Sequence, residues 1–439
     1  MSPLRSLSRN RDFSVLWIGE TVSALGSRAS MFVFPLLAFH LTGSALTAAA
    51  AEAAHLLGLT CCLLPAGVLA DRVDRRRLMR LSSGAGVLLY SSLVATALFG
   101  VLTIAQLLVV AVLTGAAAGL FSPAESSAVR SIVTTEELPT AMSQNQAREH
   151  LAGLVGAPLG GALYAVTRWL PFAVDAVSYA VSWVLLGRIR ADLSPPVSQT
   201  PRQRPRQEIA EGLAFIRRSP FFRTLTVWAA LTNLTTNALF FTAVLRLVQG
   251  GFPPVQIGLV DTVAGVSGLL GALAAPAVID RVATGTLTAV LAWSFLPLLV
   301  PMALFNQPAV VAGALAVGMF LNPAGNAGIG AYRAAVTPAE LQGRTQSTMQ
   351  FVALVSMPLA PLLGGAFLSW WGGAVAIGVL GGLTALVALI PTFSRSIRSV
   401  PRPSQWPRVD QDPGAAGTSA GGADPLPATA ACSSSAGPS

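Results

Sequence analysis

Gly67-Val-Leu-Ala-Asp71-Arg72-Val-Asp-Arg75-Arg76-Arg77 is a knot of charge between two apolar runs. The run before it covers 46–70 and the run after it 78–101. Each can cross a bilayer core of about 30 Å, which needs roughly 20 apolar residues in a helix. Outward from the knot the pattern repeats towards both ends of the chain. Further runs lie at approximately 13–40, 104–128, 142–166, 169–188, 222–249, 255–279, 284–305, 308–332, 345–370 and 372–393. Twelve runs predict an all-α membrane protein with twelve transmembrane helices.

Composition agrees. Hydrophobic residues make up 53% and charged residues 11%, with a mean hydropathy of +0.63; a soluble domain carries about 25% charged residues. The net charge of +9 comes from 28 basic residues, all of them arginine. Their placement argues against nucleic acid as a partner. Arg168 and Arg246 lie near one face, and Arg28, Arg130, Arg148, Arg223 and Arg333 lie inside runs or at their ends. The rest fall in the N-terminus, every second gap and the tail. That asymmetry is the positive-inside signal, so both termini are expected in the cytosol and the chain in the cell (plasma) membrane as a multi-pass protein. Arg5, Arg9 and Arg11 before the first run imitate a signal peptide, but the run is too long and more spans follow. Cys61 and Cys62, inside the second run, read as packing residues.

The chain divides into 1–190, a linker 191–219, 220–394 and a tail 395–439. The linker opens with Pro195, Pro196, Pro201 and Pro205. It continues as Glu208-Ile-Ala-Glu-Gly-Leu-Ala-Phe-Ile-Arg-Arg218, where Ile209, Leu213 and Ile216 share a helical face. A short amphipathic helix on the inner membrane surface is expected there. The tail is rich in Pro, Ala, Gly and Ser, and disorder is expected. The two large segments repeat one another. Leu69-Ala-Asp-Arg-Val73 matches Val278-Ile-Asp-Arg-Val282, and Ser122-Pro-Ala124 matches Asn322-Pro-Ala324. Thr134 to Glu137 matches Thr337 to Glu340, each spaced as a capping box, and Gly160-Gly161 matches Gly364-Gly365. Four matches in one order predict two pseudo-symmetric six-helix bundles.

The opening stretch resembles the signature between helices 2 and 3 of the major facilitator superfamily. Gly67, Asp71, Arg72, Arg75 and Arg76 fall on its gating positions, and Asp74 stands where the family often has Gly. Gly67 is expected to permit close helix approach, and Asp71 to act as a latch. The arginines either fix topology or take part in gating. Gly153-Leu-Val-Gly156-Ala-Pro158-Leu-Gly160-Gly161 resembles the exporter motif of the same family, with Pro158 one place late. Pro361-Leu-Leu-Gly364-Gly365 has the family's spacing. Both read either as small-residue packing or as determinants of export direction. Arg11-Asp-Phe-Ser-Val-Leu-Trp17, Pro171-Phe-Ala-Val-Asp175-Ala-Val-Ser-Tyr179 and Glu211-Gly-Leu-Ala-Phe-Ile-Arg-Arg-Ser-Pro220 are similar to its macrolide-efflux and enterobactin-exporter branch. The likeness, which covers residues 5 to about 395, implies a twelve-helix drug–proton antiporter with a cavity between two bundles and alternating access. Ala111, four residues before Gly115, departs from the Arg that many such antiporters carry there.

Ionisable residues at bilayer depth are costly and are functional candidates. Glu20 and Arg28 lie in the first run, Glu52 and His55 in the second, Arg148, Glu149 and His150 in the fifth, Asp175 in the sixth and Asp261 in the eighth. Arg28 and Glu52 reach similar depths on adjacent antiparallel helices, close enough in height to pair. Glu20, Glu52 and Asp261 are the candidates for energy coupling. Asn233, Asn237, Asn322 and Asn326 either bind substrate or hydrogen-bond neighbouring helices. No metal-spaced cluster, phosphate loop or nucleophile elbow is present in the sequence, so no enzyme, catalytic residue, metal or cofactor is expected, and a proton gradient is the expected energy source. The expected partners are a small-molecule substrate and the lipid bilayer, with no obligate protein partner. The reading is a secondary efflux transporter for a lipophilic or amphipathic molecule such as a drug, antibiotic or siderophore. The alternatives are an importer of a small metabolite and a non-transporting sensor.

Overall fold

Polar caps cut the apolar sequence into helices. The Asn10 side chain accepts a hydrogen bond from the Phe13 amide at 3.1 Å and starts the first. Gly43, with φ of 66°, ends it in the left-handed conformation that glycine tolerates. Asp74 caps the third through the Arg76 amide at 2.9 Å, and Thr103 caps the fourth through the Gln106 amide at 3.2 Å. The computed structural model describes residue 7 and residues 9–70, 72–194 and 205–406.

Spans 1–6 are Arg11–Thr42, Ala45–Ala70, Arg75–Leu98, Ile104–Ile132, Leu138–Val166 and Leu170–Leu186. Spans 7, 8, 10 and 12 are Pro220–Gln249, Pro254–Arg281, Pro308–Val336 and Gly373–Phe393. Span 9 is broken into Thr284–Trp293, a 3-10 turn Leu296–Leu298 and Leu299–Leu304. Pro297 and Pro301 lie at that break and remove backbone donors. Span 11 is likewise split into Ala339–Ser356 and Leu359–Trp371, with Pro358 at the joint. Ten of these helices are long and apolar enough to cross a membrane. Span 5, which carries Arg148 and Glu149, and span 6, at 17 residues, complete the twelve. The protein is an all-α, multi-pass membrane protein.

Glycines let the helices of each half meet backbone to backbone. A Cβ on Gly58 would strike the Val112 carbonyl and one on Gly115 the His55 carbonyl, which locks span 2 against span 4. Gly271 meets the Phe320 carbonyl and does the same for spans 8 and 10. Ala111 is fully buried near the first of these crossings, so an arginine has no room there. The N-terminal half also has an aromatic core, with the Phe34 and Phe172 rings 5.3 Å apart edge to face and Tyr90 beside both.

Four expectations need correction. The capping box at Thr134 is half formed: Glu137 accepts from the Thr134 amide at 3.2 Å. At Thr337 the hydroxyl instead donates back to the Arg333 carbonyl at 2.7 Å. The linker helix, Pro205–Arg218, does not simply lie on the membrane. Ile216 is buried with Phe222, Leu225 and Met349, and Glu211 pairs with Arg344 of span 11. The fold also continues past Ser394. Ile397 and Val400 are buried, the Val400 carbonyl accepts from the Gly285 amide at 3.1 Å, and Trp406 stacks edge-on against Tyr332 at 5.7 Å. Residues 407–439 and the proline stretch 195–204 lie outside the described residues.

Candidate functional site

The two glycine doublets place the halves. Gly160 packs inside its own half, where a Cβ would strike the Ala29 carbonyl of span 1. Gly161 faces the other half, its Cβ position 2.5 Å from the Pro254 carbonyl of span 8. Gly364 and Gly365 repeat the arrangement. Gly364 meets Thr242 and Ala238 of span 7, and Gly365 meets Ala45 and Ala49 of span 2. Gly156 takes Arg28 of span 1 against its bare backbone. Next to Pro158, the Ala157 carbonyl lies 2.5 Å from the Cβ position of Gly258. Thr262 of span 8 donates to the Leu154 carbonyl at 2.7 Å. These cross-half contacts all lie away from the arginine-rich loops. The halves therefore close at the far end.

Below that closure lies a cavity of about 360 Å³ between the halves. Its lining follows the internal repeat. The chain offset that carries Asp71 onto Asp280 also carries Arg28 onto Asn237, Phe32 onto Phe241 and Glu52 onto Asp261. The offset that carries Gly160 onto Gly364 carries Ala157 onto Pro361. All of these residues line the cavity. Glu52 and Asp261 therefore enter it from opposite halves at one register, roughly 10 Å inside their helices at 1.5 Å per residue. Glu52 is half-buried, Asp261 is exposed to the cavity, and the two lie within electrostatic range.

Arg28 does not pair with Glu52. Its Nη2 lies 3.3 Å from Glu149 Oε2. Glu149 also meets Arg148 at 3.2 Å, and Arg148 meets Glu125 at 2.8 Å. The result is a chain of alternating charge, Arg28–Glu149–Arg148–Glu125, half-exposed at Arg28 and Glu149 and buried at Arg148. The depth argument failed because it compared height along the helices and not the direction each side chain takes around them. Glu125 escaped the sequence reading, although a carboxylate inside an apolar run was the available signal. Glu20 is buried outside the cavity and accepts from Ser182 at 2.8 Å. Asp175 is fully buried and accepts from Ser178 at 2.9 Å, in keeping with a structural role. His150 is exposed.

A second cavity, of about 370 Å³, continues within the C-terminal half towards the arginine-rich end. It shares Asn237, Phe240 and Met357 with the first. Asn233, Asn322 and Asn326 line it, as do Trp228, Thr232 and Thr236. Asn237 donates to the Asn233 carbonyl and Asn326 to Asn322 Oδ1, both at 2.7 Å. Trp228 Nε1 and the hydroxyls of Thr232 and Thr236 are buried without a hydrogen-bond partner among the described residues. Buried polar atoms are rarely left so.

The described residues of the opening stretch, Gly67, Arg72, Arg75 and Arg76, lie apart from the cavity. Arg75 is buried and donates to Ser131 at 2.9 Å, and Arg76 donates to the Ala191 carbonyl. Arg72 is exposed. A Cβ on Gly67 would meet nothing within 4 Å, so Gly67 makes no close helix approach in this conformation. Asp71 lies outside the described residues.

The profile of the Major Facilitator Superfamily matches residues 16–283. An MFS-type transporter of Bacillus subtilis (strain 168), YfiS, is 26% identical over 411 residues, covering 90% of this chain and 95% of its own. The multidrug efflux pump Tap of Mycolicibacterium fortuitum is 27% identical over 375 residues, covering 80% and 87%. Among solved structures, the nucleoside transporter NupG superposes with a TM-score of 0.67 at 10% identity, covering 87% of this chain and 98% of that one. At that identity the likeness concerns the fold alone.

Proposed function

The chain belongs to the major facilitator superfamily of membrane transporters, and we propose that it exports a lipophilic or amphipathic small molecule by proton-driven alternating access. The observation that carries this reading is the symmetric cavity with Glu52 and Asp261 facing each other among Met31, Phe32, Phe240 and Phe241. Aromatic and thioether walls suit an apolar organic body, and the Asn233 and Asn326 amides of the second cavity suit hydroxyl or carbonyl groups on it. The low identity to a multidrug efflux pump supports the same direction.

The arginine-rich end is taken as cytosolic on the positive-inside rule, with both termini inside and the chain in the plasma membrane. A far end closed by Gly161 and Gly365 then corresponds to a state loaded from the cytosol. Two ionised carboxylates on facing walls repel, and the repulsion grows as water leaves. A proton on either acid, or a cationic group between them, removes it. Substrate and proton thus compete for one pair, which is the requirement of an antiporter. Asp71 is assigned the latch at the cytosolic end, engaged when Arg75 and the span 11 start come together in the opposite state.

Proteoliposomes with an imposed pH gradient and a fluorescent lipophilic cation test the reading. The intact protein is expected to move the cation uphill. Glu52→Gln and Asp261→Asn are each expected to abolish uphill movement and retain downhill exchange. Uphill pumping that survives in both variants removes the pair from the mechanism. An intact protein that moves no member of a lipophilic panel, even downhill, removes the substrate class.

A further inference from the structure

Spans 3 and 6 leave a groove on the outer face of the N-terminal half, at its arginine-rich end. It encloses about 1100 Å³. Gly84, Ala85 and Ala180 form a shallow floor, and Leu81, Leu88, Trp183 and Val184 form the walls. Leu81 and Leu88 are 67% and 73% exposed, so nothing among the described residues covers them. Its mouth is cationic. Arg76, Arg77 and Arg80 line it, with Asp74 beside them. Asp74 is engaged in capping span 3 and reaches Arg77 only at 3.9 Å. The Arg80 guanidinium lies over the Trp183 ring, 4.2 Å from its centre. The Nε atoms of Arg76 and Arg80 are buried without a hydrogen-bond partner among the described residues.

This charge is misplaced for helix stability. The arginines occupy the first turns of span 3, where the helix dipole is positive, and they stand three and four residues apart, where like charges repel. The other half of the repeat does without them. The repeat offset that carries Asp71 onto Asp280 carries Arg76, Arg77 and Arg80 onto Gly285, Thr286 and Ala289. An anion at the mouth offsets both penalties.

We propose that this groove binds an anionic phospholipid, with its phosphate held by Arg76, Arg77 and Arg80 and one acyl chain lying along Leu81, Gly84 and Leu88. A soluble phosphate satisfies the mouth and leaves the apolar channel empty. A neutral lipid fills the channel and leaves the charge unmet. A basic pocket between membrane helices at this depth matches an anionic headgroup with its chain attached.

Native mass spectrometry of the full-length protein tests this with phosphatidylglycerol and phosphatidylethanolamine in equal amounts, and with glycerol 3-phosphate as a chain-free competitor. Phosphatidylglycerol is expected to be retained about tenfold over phosphatidylethanolamine, undisturbed by glycerol 3-phosphate. Arg77→Gln combined with Arg80→Gln is expected to abolish that preference. Gly84→Leu, which fills the channel and keeps every arginine, is expected to lower retention of both lipids. Thermal unfolding of each variant checks that it is folded. Equal retention of the two lipids by the intact protein, or unchanged preference in both folded variants, overturns the proposal. Displacement by glycerol 3-phosphate assigns the mouth to free phosphate and also overturns it.

Discussion

The two halves share one backbone plan and repeat Phe32 as Phe241 and Glu52 as Asp261 in the cavity, but they differ in the charge behind it. Gly160 and Gly364 each pack inside their own half, and Gly161 and Gly365 each reach across to the other. The equivalence is as close as a repeat can be, because contact at a bare backbone leaves no latitude. The interior side chains diverge. The N-terminal half buries Arg148 against Glu125 and runs a charge chain out to Arg28. The repeat equivalents of Arg148 and Arg28 in the C-terminal half are Val352 and Asn237. There Asp261 is the sole acid away from helix ends, and the lining is amide, hydroxyl and aromatic.

The largest expected effect lies at the buried charge. Arg148→Met leaves Glu125 without its partner and is expected to cost about 3–5 kcal/mol, read as a lowered melting temperature in detergent. Adding Glu125→Leu to it is expected to recover most of the loss, since an apolar pair replaces an ionic one at little net cost. A lone Arg148→Met with unchanged melting would show that the charge chain does not hold the N-terminal half.

Next come the doublets. Gly161→Val and Gly365→Val each force a Cβ into the opposing half and are expected to cost about 1–3 kcal/mol in the state closed at the far end. Both are expected to raise cysteine labelling from the far side by similar factors. Labelling that rises in one variant alone would break the symmetry of the closure.

Smaller effects are expected in the C-terminal lining. Asn237→Ala or Thr236→Val removes about 1 kcal/mol of hydrogen bonding to a guest, roughly a fivefold loss of apparent affinity in a transport assay. Unaltered affinity in both would assign recognition to the N-terminal half. The smallest effect concerns Arg28→Gln. The Arg28–Glu149 pair is half-exposed, and its loss is expected to shift unfolding by about 0–1 kcal/mol. A shift as large as that of Arg148→Met would mean the whole chain acts as one unit.

Much of the scaffold was legible in advance. The twelve runs are visible because a lipid-facing helix must be apolar along its whole length, and the duplication because Asp71, Asp280 and the two glycine doublets recur in order. The opposition of Glu52 and Asp261 was latent in the same repeat. Their shared offset was readable, but only a known packing of the halves makes a shared offset mean a shared cavity. The partner of Arg28 was not legible, because equal depth says nothing about angle around a helix. The docking of Ile216 and the strap through Trp406 were missed for a related reason. A short apolar face surrounded by polar residues can meet a membrane, a bundle or nothing, and local composition does not distinguish them.

By itself, the sequence determined that this protein crosses a membrane, how often and with which repeat. These follow from transfer free energies, which act residue by residue. The tertiary structure alone decided that Glu149 rather than Glu52 meets Arg28, that Glu20 is buried against Ser182 away from the cavity, and that the far end is the closed one. Those outcomes depend on which helix faces touch, and contact energies between distant residues exist only after the bundle has formed.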